Sequence, residues 1–177
     1  MKKSFIAVAA AFSAVFVLAF SAGIARAQEK PDYLTPAEAN KIRNAYYPVD
    51  RIRLFIEFAG DRLKKLQYEL RLTSPQYHKT QILNGLLNAY SDCMEEASDR
   101  IDEAEHGGAH ILPAVKEMQK EAKSYLQTLQ KIKSAGGPDL ASIKDSLDDA
   151  IDGTQYALKD AAKASKEYGA APIRRKP

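Results

Sequence analysis

Glu103-Ala104-Glu105-His106 is the spacing in this 177-residue chain that most invites a chemical reading. A Glu and a His three residues apart lie on one side of a helix, where together they can hold a divalent metal. Bundles that bind a pair of metals use two such motifs and two further carboxylates. This chain has one, because neither His78 nor His110 follows a Glu by three residues. Direction matters as much as spacing. At about 100° per residue, the apolar stripe around this motif centres near Leu86, Ala97 and Ala104. His106 then falls about 160–180° away, beside Glu95, Asp99 and Asp102. A ligand to a bundle-core metal would have to point inward. The candidate metal site is therefore a surface one, made of Asp99, Asp102, Glu103 and His106, with His110 as an extra ligand across the Gly107-Gly108 turn.

A second constellation is Asp145, Asp148, Asp149 and Asp152. Their spacing puts all four within an arc of about 100°, opposite Ile143, Leu147 and Ile151. Like charges at this spacing cost a few tenths of a kcal/mol per pair. The simplest reading is a solvated acidic face, and the functional one is contact with a cationic partner or loosely held Ca²⁺. The loop glycine of an EF-hand is missing. Cys93 falls on an apolar stripe beside Tyr90 and Met94, which suits a small buried hydrophobe. The haem attachment sequence C-x-x-C-H does not occur. Met94 or Met118 could ligate a b-type haem, but neither has a histidine partner on a core face. Arg51, Arg53, Arg62, Lys64 and Lys65 bracket another stripe, where Arg53–Glu57 and Asp61–Lys65 stand at ion-pair spacing. No phosphate loop, nucleophile elbow or Ser/His/Asp arrangement is present. No cofactor is assigned.

The elements that position these residues are helical throughout. Thr35-Pro36-Ala37-Glu38 is a capping box with proline at the first helical position, and it opens a short helix to about Tyr46. Pro48 ends that helix. Asp50 is expected to cap a longer helix to about Leu72, with Ile52, Phe55, Ile56, Ala59, Leu63, Leu66 and Leu70 at the helical period. Ser74-Pro75 signals the next helix, to about Glu105, before Gly107-Gly108. A further helix runs from Leu112-Pro113 to Ser134, and Gly136-Gly137-Pro138 breaks it. The last is expected as one helix from Asp139 to Tyr168. No segment alternates as a strand does. Four long amphipathic helices with short breaks predict an all-α fold: an up-down antiparallel four-helix bundle preceded by a short N-terminal helix.

The first 27 residues have a different task. Lys2 and Lys3, an apolar run from Phe5 to about Ile24, and Ala25-Arg26-Ala27 make the layout of a cleaved secretory signal peptide. The expected mature chain is a single domain over 28–169 with a basic, disordered tail at 170–177, periplasmic or extracellular, with no membrane span. Its charge also changes. Removing Lys2, Lys3 and Arg26 from 26 Lys+Arg leaves 23 against 23 Asp+Glu. A neutral chain does not support nucleic-acid binding. One cysteine allows no internal disulfide, so the core must hold the fold.

Asp32-Tyr33-Leu34-Thr35-Pro36-Ala37-Glu38 with Lys41-Ile42-Arg43, then Arg51-Ile52-Arg53-Leu54 and Asp61-Arg62-Leu63, resembles the start of small exported helical bacterial proteins of unassigned role. The resemblance covers the first quarter of the mature chain. It implies bacterial export and an all-helical fold, and no catalytic or binding residue comes with it. Taken together, the sequence points to a non-catalytic interaction protein with an envelope-protein partner. The alternative is a metal- or haem-binding periplasmic bundle with redox or storage work.

Overall fold

The computed structural model describes residues 33–72, 77–106 and 110–170. The expected export segment at 1–27, the Ser74-Pro75 signal, the Gly107-Gly108 break and the expected tail from 171 lie outside them. The described residues belong to one compact unit, Pro31–Pro177. Among them the regular elements are six helices: α1 Pro36–Asn44, α2 Pro48–Arg71, α3 Lys79–His106, α4 Leu112–Ala135, α5 Pro138–Ser142 and α6 Lys144–Ala170. None is long and apolar enough to cross a membrane.

Local chemistry accounts for the boundaries. The Thr35 hydroxyl accepts from the Glu38 amide, and the Glu38 carboxylate accepts from the Thr35 amide at 2.8 Å, closing the capping box. The second helix starts at Pro48, two residues before the expected cap, and Tyr47 makes no side-chain cap bond. Proline's preset φ opens the helix without a donor, whereas α1 has already ended at Asn44, short of the expected Tyr46, with Ala45 as its C-cap. Gly136 and Gly137, at φ 67° and 116°, end α4 in conformations open to glycine. The expected last helix divides at Ile143 into the single turn α5 and the long α6. The Ser142 hydroxyl donates to the Asp139 carbonyl, and the Ile143 side chain is buried. A side-chain donor thus takes a carbonyl that the helix ladder would have used.

Each long helix packs on two others: α2 on α3, α3 on α6, α6 on α4 and α4 on α2. Residue pairs give the directions. Lys79 Nζ at the start of α3 donates to the Leu72 carbonyl at the end of α2, while Arg62 lies beside Cys93, so α2 and α3 are antiparallel. Lys133–Asp148 and Gln119–Ala161 make α4 and α6 antiparallel too. The other two contacts are parallel. Thr80 meets Ser142 and Tyr90 meets Thr154, at separations of 62 and 64 residues. Arg53 meets Glu117 and Tyr125 meets Ile56, at 64 and 69. Two helical hairpins therefore lie side by side, each helix beside its counterpart.

The core is mostly aliphatic, with Ile52, Leu66, Leu83, Leu87, Met118 and Leu129 fully buried. Each such side chain contributes about 1.5–3 kcal/mol of transfer free energy. A tyrosine layer crosses its middle. The Tyr90 hydroxyl lies 2.6 Å from Thr154 Oγ1, which itself donates to the Ala150 carbonyl. The Tyr125 hydroxyl donates to the Ile56 carbonyl, and the two rings meet edge to face at 6.1 Å. Each hydroxyl ties one parallel helix pair at a set register, and a slip would leave it buried without a partner.

Candidate functional site

The parallel packing of α3 on α6 opens a groove of about 540 Å³ along their outer seam. Met94 and Ala157 supply a buried apolar floor with Tyr90 and Thr154. The Tyr90 hydroxyl is already occupied by Thr154. Gly153 adds no side chain, so the groove stays open at its centre. Glu95 and Asp99 of α3 and Asp152 of α6 form the rim, joined by Tyr156, which is 66% exposed. Asp99 and Asp152 make no ion pair among the described residues.

One residue of each acidic constellation lines this groove, which forms because residues about 62 positions apart become neighbours on the parallel helices α3 and α6. Asp99 and Asp152 sit at different levels of the same rim, about nine residues or about 14 Å apart along the seam, and the remaining acids of the two sets lie elsewhere. Asp102 lines a smaller cleft nearer the end of the seam, with Glu105, Tyr156, Asp160 and Lys163. Glu103 is held by Arg100 at 2.8 Å. His106 is exposed as the helical wheel expects, and its Nδ1 lies 2.8 Å from the Asp102 carbonyl. Asp99, Asp102, Glu103 and His106 border a shallow, open surface depression. Among the described residues no three His, Cys, Asp or Glu side chains are grouped to hold a metal ion. On α6, Asp145 and Asp149 are exposed. Asp148 instead pairs with Lys133 of α4 at 2.7 Å and with Lys144 of its own helix at 2.9 Å, and the two hold its carboxyl below the usual range. It ties α6 to α4 and is not part of the groove.

The residues considered for haem are apart. Met94 and Met118 are buried, whereas His78, His106 and His110 are all exposed. His78 precedes α3 in a left-handed conformation, φ 74°, with its ring edge-to-face on Tyr77.

Sequence reasoning missed a second cluster. Arg62 is 4% exposed and grips both Glu38 carboxylate oxygens at 2.7 Å, while also donating to the Tyr33 carbonyl at 2.8 Å. Arg62 and the Thr35 cap together bring Glu38 down to about 2. Cys93 lies beside this clasp, fully buried, and burial pushes its thiol up to about 12. Arg62 was read only as one of the five cations that bracket the stripe of α2, and nothing local singled it out as the partner of Glu38. The short-range pairs were also redrawn. Arg53 bonds Glu117 across to α4 rather than Glu57, and Asp61 takes Lys64 rather than Lys65.

The seam between α2 and α4 forms another groove, of about 590 Å³. Arg53, Glu57, Lys64, Glu117 and Glu121 line it with both signs of charge, and Arg53–Glu117 spans it. Of these two grooves, the α3–α6 one combines an apolar floor with a rim of one sign. No known protein family, curated protein or solved structure matches the chain.

Proposed function

We propose that this chain is an exported, non-catalytic interaction module: an up-down four-helix bundle that takes a cationic segment of an envelope protein into the α3–α6 groove. Export rests on the basic, apolar and small-residue order of the first 27 residues. The observation that carries the binding site is the acidic rim over an apolar floor, with Glu95 and Asp99 contributed by α3 and Asp152 by α6. Basic amphipathic segments match such a surface in both respects, and a helix lying in a groove is a recurrent mode of recognition. The non-catalytic reading rests on where the displaced ionisable groups are. Cys93 and Glu38 belong to the clasp under α1, and Tyr90, the raised group on the groove floor, has its hydroxyl taken up by Thr154, which is how a structural group rather than a reacting one is held.

The test is titration of the chain from Gln28 with a short Lys/Leu amphipathic peptide, alongside pull-down from an envelope fraction. Asp99→Lys with Asp152→Lys should weaken peptide binding about tenfold, equivalent to about 1.4 kcal/mol. Asp145→Lys, outside the groove lining, should change it less than about twofold. Equal binding by all three proteins would remove the groove from the reading.

A further inference from the structure

The acidic seam continues beyond the groove to the end of the bundle where α3 and α6 finish. Asp102, Glu105 and Asp160 line a cleft there in which Lys163 is the single cation among the lining residues. Glu105 and Glu167 come close enough to share a hydrogen bond, which raises Glu105. Two carboxyl groups so placed repel once both ionise. The helix that carries Asp160 and Glu167 ends at Ala170, and the chain goes on as Ala171-Pro172-Ile173-Arg174-Arg175-Lys176.

We infer that residues Ile173–Lys176 fold back in cis along the α3–α6 seam and occupy it as an internal competitor of the cationic partner. This rests on the groove reading above and adds its regulation. Direction comes from Pro172, which removes a helix donor and disfavours helix at the residue before it. Reach comes from chain geometry. Extended chain covers about 3.3–3.6 Å per residue, so Arg174 lies up to about 14 Å from Ala170 and Lys176 up to about 21 Å. A helix rises about 1.5 Å per residue, so those spans run back along α6 to about positions 161 and 156. The long basic side chains extend them towards Asp152 and Asp99. Complementarity comes from charge: Arg174, Arg175 and Lys176 meet a seam lined by Asp99, Asp102, Glu105 and Asp160. A short tether holds its ligand at millimolar effective concentration, so even a weak contact competes.

The experiment compares amide NMR spectra of the chain from Gln28 with those of the same chain carrying Arg174→Ser, Arg175→Ser and Lys176→Ser. Neutralising the tail should shift Asp152, Tyr156 and Asp160, and should raise affinity for the Lys/Leu peptide about 2- to 10-fold. Both effects should fade in high salt. Superimposable spectra with equal peptide binding at the groove would overturn the tail inference and leave the groove reading standing. Absence of both tail-dependent shifts and peptide binding would overturn both. Tail-dependent shifts that grow with protein concentration would place the segment on a second copy and overturn docking in cis.

Discussion

Two residue positions, Arg62 and Gly60, carry more structural consequence than their types suggest. The Arg62–Glu38 pair is largely shielded, with side chains 5% and 13% exposed. Glu38 falls from 4.5 to about 2 in the fold. A depressed carboxylate adds stability above its unfolded pKa and loses it as pH falls through the folded value. Stability should therefore drop between about pH 4.5 and 2. Glu105 works the other way, because its raised value favours the fold at low pH and that contribution fades as pH rises. Glu38→Gln should flatten the acid slope and cost about 3 kcal/mol at neutral pH by leaving Arg62 without its counter-charge. Urea unfolding followed by circular dichroism across pH is the measurement, and an unchanged slope in the variant would refute the assignment. Gly60 packs beneath the Tyr125 ring, and a Cβ there would lie 2.5 Å from the hydroxyl. Gly60→Ala should destabilise by about 1–3 kcal/mol through overpacking, although alanine favours helix by about 1 kcal/mol. Gly85 has open space around its Cβ direction, so Gly85→Ala should stabilise by about 0.5–1 kcal/mol. Thermal melts that rise for both would show that Tyr125 is free to move.

Among the elements, α1 stands apart. It buries none of its own residues and is held by the Arg62 clasp and by Tyr33, Leu34 and Ile42 packed against the core. Local opening follows such sparse contact. Cys93 lies beside the clasp, so its thiol reports on α1. Arg62→Met keeps bulk and removes the charge, and should speed labelling of Cys93 in the folded state by about tenfold or more, as about 1.4 kcal/mol of local opening implies. Labelling that follows only global unfolding in both proteins would mean that α1 does not gate the thiol. Most helices were legible in the chain, because the apolar period, the capping box and the Gly-Pro breaks are local signals. The division of α5 from α6 was not, because it depends on Ile143 reaching the core and Ser142 taking a nearby carbonyl.

At the scale of the whole molecule, charge is sorted by helix pair. Acids border the α3–α6 seam, both signs share the α2–α4 seam, and Asp148 joins α6 to α4 through Lys133. Binding of a basic peptide should therefore weaken with salt, and the loss should be smaller in the Asp99→Lys, Asp152→Lys protein. Salt-insensitive binding would point to an apolar contact elsewhere. The groove could not be read as one site from the sequence. Asp99 and Asp152 were each identified, but within separate clusters and on separate helices.

The sequence by itself determined the all-helical composition, most breaks between helices, the outward direction of His106 and the buried position of Cys93. All of these follow from local propensity and from which side of a helix faces the core. The tertiary structure alone decided that the hairpins lie with matching helices parallel, that Arg62 is buried against Glu38, and that one residue of each acidic set lines the same groove. Helical period fixes a residue's angle on its own helix. Which helix lies beside it, and in which direction, is set by the fit of whole apolar faces and by where the buried hydroxyls of Tyr90 and Tyr125 find acceptors.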